Sequence, residues 1–403
     1  MSNAHRSTIK MGLLIIGCSA WLGACQTAAV TPQHGRLGMN GGFGYIEAPE
    51  YKSGEPLEPA QALDLSAIQS LDKIMPKLLE KRVIFVGETH DRYDHHLNQL
   101  DIIRRTYENS NELAIGMEFF QLPFQPVLDA YIAGKIDEKE FLRKSEYFQR
   151  WRVDYRNYRP IIRYAKEKGI PLLALDLSEE LRRKIVRNEM NNLSAGEIAQ
   201  IPKEIDRSNQ DYREMLQDIF AMHPDSADFE RFMEVQLSRD EAMAQTAATY
   251  LQQHPKARMV ILAGGGHLVY RFGIPSRLTR RIDAPSVVVL NDSIKQYDNQ
   301  VADYMLLPAP LRLPKEVRMG VVLDTTKAGQ LSINGFAEDS PALAAGLKKG
   351  DRLLSLDSQP LTQMADLKIA LLDKNAGDKV QVKVQRAGWF GTEKELGFEV
   401  PLY

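Results

Sequence analysis

The chain has 403 residues, 44% of them hydrophobic and 26% charged, which is ordinary globular material for about two domains. Its net charge of -2 at pH 7 argues against nucleic acid as the main partner. Beyond the N-terminus, no apolar stretch approaches the length of a membrane span.

Residues 1–25 read as a targeting signal. His5, Arg6 and Lys10 precede MGLLIIGCSAWL, an apolar run too short to cross a bilayer as a stable helix. The run ends in Leu22-Gly23-Ala24-Cys25, and small residues directly before a cysteine resemble the bacterial lipobox, whose cysteine is lipidated and becomes the mature N-terminus. Gln26 stands where an aspartate is associated with inner-membrane retention, so the resemblance implies an outer-membrane lipoprotein of a bacterial envelope, facing the periplasm and touching membrane only through its lipid. Cys18 lies inside the signal, so the mature chain keeps no thiol for a disulfide and its stability must come from packed cores. Residues 26–65 carry Gly, Pro and polar residues with little periodicity and read as a flexible tether.

From 66 to 305, strand candidates alternate with amphipathic helical stretches, the pattern of an α/β layered domain with a mainly parallel sheet flanked by helices. Strands are predicted at 82–87, 112–118, 171–176, 258–264 and 285–290, and helices at 92–109, 124–134, 158–168, 178–190, 205–221 and 228–253. The stretch VIFVGETHDRYDHH at 83–96 is the most telling, an apolar strand that breaks at Gly87 into Glu88, Thr89 and His90. The second strand runs into Glu118, the third into Asp176, the fourth into Gly264-Gly265-Gly266-His267 and the fifth into Asn291 and Asp292. Parallel strands would bring these endings to one edge, where ligands bind in open α/β sheets. Asp176 and Asn291 also suit helix caps and turns. The three glycines expose N–H groups able to hold an anion.

The paired Gly-x-x-His motifs, ending in His90 and His267, resemble the Tiki/TraB superfamily. GMEFF at 116–120, DYRNYRPIIRYAKEKGIPLLALDL at 154–177, and QLSRDEAMAQTAATYL followed by VILAGGGHLVYRFGIPSRL are similar to the ChaN family of haem-binding lipoproteins linked to iron uptake. The resemblance covers roughly residues 70–295. It implies a haem-binding envelope protein in haem and iron acquisition, with haem iron held by a tyrosine and a homodimer around it. Haem needs an axial ligand, apolar walls and partners for its propionates. Residues 147–163 interleave Tyr147, Phe148, Trp151, Tyr155 and Tyr158 with Arg150, Arg152, Arg156, Arg159 and Arg163. Tyr147, Tyr155 and Tyr158 are the candidate ligands, Arg156 a propionate partner, and His223, in a Met-His-Pro turn, a further candidate. The helical spacing of Phe148, Trp151, Tyr155 and Tyr158 equally suits a core-facing stripe with a solvated arginine face. The alternative is a Tiki-like metal-dependent hydrolase or peptidase, with Glu88, His90, Glu118 and His267 holding zinc, manganese or cobalt. An erythromycin-esterase-like reaction without metal is a third option. HExxH and Gly-x-Ser-x-Gly are both absent from the sequence.

LLPAPLRLP at 306–314 reads as a linker. The remainder, 315–403, alternates short strands around one helix near Met364–Leu372, giving a small, partly open β-barrel. SPALAAGLKKGDRLLSLDSQPL at 340–361 and AGDKVQVKVQR resemble a PDZ domain of the bacterial protease type. That resemblance implies a C-terminal or extended peptide as partner, with Met319, Gly320, Val321 and Val322 at the carboxylate-binding loop. The segment could equally serve only to dock on the first domain.

Overall fold

The structure is a computed structural model, and it describes residues 65–221, 228–292, 299–388 and 392–403. The signal, Cys25, the tether up to residue 64 and His223 lie outside the described residues. Among those described, no helix is long and apolar enough to cross a membrane.

The first domain opens with α1 (Leu71–Leu79), β1 (Val83–Glu88), α2 (Tyr93–Asn109) and β2 (Leu113–Gln121). α3 (Gln125–Ile132), α4 (Glu138–Lys144), α5 (Tyr147–Arg150), α6 (Arg159–Lys168) and β3 (Leu172–Asp176) follow. Then come α7 (Glu179–Arg187), α8 (Ala195–Ile198), α9 (Gln210–Ala221), α10 (Phe229–Gln253) and β4 (Arg258–Gly264). α11 (Ile274–Arg281), β5 (Ser286–Asn291) and β6 (Tyr304–Leu306) complete the domain. The six strands form one sheet in the order β3-β2-β4-β1-β5-β6, every pair parallel. β1 lies between β4 and β5 and is buried along its whole length, as its unbroken apolar run requires of a strand covered on both faces. The pleat divides it: Ile84 and Val86 join one core with α1 to α6, while Val83 and Phe85 join a second with α9, α10 and α11.

The five predicted strands and the parallel sheet are present, and β6 extends the sheet into residues the sequence assigned to the domain's end and the linker. One expectation fails in an instructive place. Residues 147–158 do not make the continuous helical stripe their spacing offered; α5 lasts four residues, and the chain turns at Arg152 before a short 3-10 turn at Tyr155–Asn157. Glu146 (φ 52°) and Arg152 (φ 62°), both left-handed, bracket the break.

The second domain contains β7 (Val321–Asp324), β8 (Leu331–Phe336), α12 (Pro341–Ala344), β9 (Arg352–Leu356) and β10 (Gln359–Pro360). α13 (Met364–Leu371), β11 (Lys379–Ala387) and β12 (Glu393–Pro401) follow. Its sheet is antiparallel, ordered β12-β11-β9-β8-β7, with β10 on β9 and β7 outermost. Tyr403 and Arg318 exchange two backbone hydrogen bonds, tying the domain's two ends together. α13 also faces the first domain. Ile369 is fully buried in that domain's core, Arg143 donates to Asp366 (3.1 Å), Arg159 to Asp373 (2.5 Å) and Gln149 to Gln363 (2.8 Å).

Candidate functional site

Parallel pairing carries Glu88, Glu118, Asp176 and Gly264 to one edge of the sheet, and the turn Gly265–His267 sits directly beyond β4. Two carboxylate–histidine pairs result. His90 Nδ1 lies 2.8 Å from a Glu88 oxygen, and His267 Nε2 lies 3.2 Å from Glu118. They meet at Gly264, where an added Cβ would stand 3.0 Å from the His90 ring and 3.5 Å from Glu118. A side chain there would press on the His90 ring, which would have to give by a few tenths of an ångström.

Each pair is locked by neighbours. Glu88 also accepts from the Tyr158 hydroxyl (2.5 Å) and from Gln99 (2.8 Å). Burial pushes this carboxyl up, but His96, His90 and the Tyr158 phenol outweigh it and hold it below the usual range. His90 is raised: burial opposes its charge, and Glu88 and Glu118 more than compensate. Glu118 accepts from Arg239 Nη2 (2.7 Å) and from the Gly264 backbone N–H (2.7 Å). The anion held by the glycine turn is therefore the protein's own carboxylate. Burial works against the Glu118 charge, yet His267 and Arg239 hold its carboxyl well below normal. His267 gives its other nitrogen to Asp240 (2.5 Å); against burial, Glu118 and Asp240 lift the imidazole to about 9.

Asp176 does not cap the helix that follows it, contrary to that reading. Ser178 caps α7 through the Leu181 N–H, while Asp176 takes the Arg239 guanidinium at 2.8–3.1 Å. Asn291 donates to the Gly87 carbonyl and accepts from Asn98 (2.7 Å), stitching β5 to β1 and α2. Among the described residues, the three metal-type ligand atoms that converge within 4.8 Å belong to Asp94, His95 and Asp292 instead of the four anticipated residues. Arg92 donates to both of those aspartates, and His95 Nδ1 accepts the Thr89 N–H, so its Nε2 proton faces Asp292. One guanidinium, that of Arg92, already pairs with both carboxylates of that trio.

The aromatic segment lies against the first pair. Trp151 meets the His90 ring edge-on (4.8 Å between centroids) and donates to the Tyr158 hydroxyl (3.2 Å). All three candidate tyrosines are buried, and burial pushes each phenol well above its usual range. Tyr158 donates to Glu88 and Tyr155 to Glu138 (3.0 Å). The Tyr147 hydroxyl differs: it is buried with no hydrogen-bond partner among the described residues. The arginines are mostly paired, and only Arg152 and Arg163 of the five are exposed. Arg150 pairs with Glu146 and Glu180, Arg156 with Asp154, and Arg159 and Arg163 with Glu138; Arg152 is exposed. A separate cavity of about 270 Å³ between α7 and α10 is lined by residues such as Leu181, Ile185 and Met233, none of them a candidate.

Met319 is buried, Gly320 has a positive φ (77°) with Ser340 crowding its Cβ direction, and Val321 and Val322 begin the outermost strand of the second sheet. Sequence reasoning named Glu88, His90, Glu118 and His267 but missed Arg239 and Asp240, the charges that hold Glu118 and His267. The signal was present: Arg239-Asp240-Glu241 are consecutive charges inside α10, and three successive helical residues sweep about 200°, too wide for one solvent face.

A family model described as haem-binding uptake, Tiki superfamily, ChaN matches residues 74–278, and a PDZ domain model matches residues 317–402. Protein RETICULATA-RELATED 5, chloroplastic, from Arabidopsis thaliana is 24% identical over 58% of this chain and 35% of its own length. A putative zinc metalloprotease from Bartonella henselae is 36% identical over 14% of this chain and 15% of its own length. The chain thus spans about a third or less of these two relatives. Among solved structures, cofacial haem binding to ChaN of Campylobacter jejuni describes a neighbour 20% identical, covering 60% of this chain and 92% of that one, with a TM-score of 0.49.

Proposed function

The chain belongs to the ChaN haem-binding uptake family of the Tiki superfamily and carries a PDZ domain, and from that premise we propose that it captures haem at the cell envelope, anchored through Cys25 to the outer membrane and acting in haem or iron acquisition as a homodimer. The observation that carries the reading is the family match over residues 74–278, which includes the whole aromatic segment.

The residues there suit the group. Haem supplies a ferric centre that takes an anionic oxygen ligand, and tyrosine is one of its protein ligands. Tyr147 has the one candidate phenol whose oxygen is not committed to a carboxylate, and a buried hydroxyl without a partner costs roughly 1–3 kcal/mol until something satisfies it. Phe148 and Trp151 offer aromatic walls and Arg156 a propionate partner. Reaching Tyr147 requires α5 to swing outward, and left-handed residues at both ends of that short helix, Glu146 and Arg152, give it hinges. The hydrolase reading has less support, because the carboxylates and most ring nitrogens of the two Gly-x-x-His pairs are spent on one another and on Arg239 and Asp240.

The test is a titration of the chain lacking residues 1–25 with ferric haem, followed by absorption. A saturable spectrum with a phenolate charge-transfer band, lost in Tyr147→Phe and kept in Tyr155→Phe and Tyr158→Phe, is expected. Absence of saturable binding overturns the haem reading; a band that survives Tyr147→Phe overturns the ligand assignment alone.

A further inference from the structure

We propose that docking of the second domain holds the haem site shut: α13 occupies the space into which α5 must swing to uncover Tyr147, so haem enters only after α13 moves off. The inference rests on Tyr147 as the haem ligand and concerns what controls access to it.

α5 is a single turn of four residues, too short to persist without the groups packed on it. Its side chains divide between the two domains. Tyr147 points into the first domain's core, its ring centre 5.2 Å from that of Tyr155 and 6.1 Å from that of Phe120. Arg150 ties the turn to the same domain through Gln121 and Glu180. Phe148 and Gln149 reach the second domain. The Lys368 ammonium of α13 lies 5.4 Å from the centre of the Phe148 ring, and Gln149 donates to Gln363, the N-cap of α13, at 2.8 Å. Ile369 of α13 is fully buried in the same core as Tyr147. The turn is therefore held between its own buried tyrosine and α13, and its outward movement meets α13 first.

The seam is of a kind that parts. Ile369 and Leu372 supply its apolar portion, while the pairs Arg143–Asp366, Arg159–Asp373 and Gln149–Gln363 are polar and reach solvent. Exposed ion pairs hold weakly and are screened by salt. A cavity of about 60 Å³ between Phe148, Asp154 and Arg156 on one side and Glu316, Val317 and Lys368 on the other leaves part of the seam unfilled, so contacts are forfeited there. Domain interfaces that are not extensively apolar permit relative motion. A minor state with α13 displaced is the one that accepts haem, and apparent affinity scales with its population.

The experiment uses residues 26–403, which contain no cysteine. Gln149→Cys and Gln363→Cys are introduced together and joined by a short bis-methanethiosulfonate linker that reductant cleaves; the reductant is removed before haem is added. Haem uptake is followed by stopped-flow absorption, and amide hydrogen exchange at residues 147–151 is read separately, without haem. The linked protein is expected to take up haem at least about tenfold more slowly than the same protein unlinked or cleaved, and to exchange more slowly at those amides. Lys368→Ala combined with Asp373→Ala, which replaces no residue of the haem site, is expected to speed both about fivefold or more. Linked protein that takes up haem as fast as unlinked, or exchange that neither change moves, overturns the gate. If exchange responds as expected but no form binds haem saturably, the haem reading falls and α13 is left as a restraint on α5 alone, which overturns the gate as well.

Discussion

Burial alone would discharge His267, yet Glu118 and Asp240 lift its imidazole to about 9. In the unfolded chain a histidine titrates near about 6.5, so the folded state binds the proton more tightly. The stability this contributes is fully present below about 6.5 and is lost as pH rises through about 9. Urea midpoints should therefore fall between pH 6 and pH 9 in the native chain, whereas His267→Gln should be less stable at pH 6 and flatter across that window. A native chain no more pH-sensitive than the variant would mean that His267 is neutral. Glu88, His90 and His267 were legible in the sequence because they stand where an apolar run stops, and Glu118 because it is a lone charge inside one, between Met117 and Phe119. Arg239 left only the trace of three consecutive charges inside α10, and the strand end it serves was not legible, since that depends on a helix crossing the end of β3. Tyr147, Tyr155 and Tyr158 were named together and could not be ranked; their difference lies in which carboxylate each oxygen meets.

α5 and its flanks are the element whose form the sequence concealed. Helical spacing promised a continuous stripe, and the left-handed positions are occupied by glutamate and arginine, neither of which signals a break as glycine does. Holding an L-residue in that region costs roughly 1–2 kcal/mol. Arg152 is exposed, so Arg152→Gly removes strain while sacrificing little contact. Allowing for the extra unfolded-state entropy of glycine, it should raise stability by up to about 1 kcal/mol and slow hydrogen exchange at Tyr147–Trp151. Faster exchange there, at unchanged stability, would count against a strained hinge. The strands were easier to read. β1, β4 and β5 are apolar runs, and β2 is one interrupted by Glu118, because a parallel sheet is covered on both faces, whereas α1, α4 and α11 had no comparably distinct signature.

At the level of the molecule, the two domains share a core residue. Ile369 is fully buried against the first domain although it belongs to α13 of the second, so the chain should unfold in one main calorimetric transition. Ile369→Asp places a charge in that core and should split the trace into two transitions; two transitions in the native chain would show that the interface contributes little. The sequence separated the domains at a proline-rich segment without indicating that they dock, because docking rests on one face of α13 and on long-range pairs such as Arg143–Asp366. The order of the strands has a consequence for how such a chain is made. Val83, in the first of the described strands, is flanked by Met259 and Ser286, and Arg318 closes its domain against Tyr403. Neither sheet can be completed from its N-terminal part alone, and contacts so distant in sequence form slowly. A nascent chain of this design stays open until nearly all of each domain has been made.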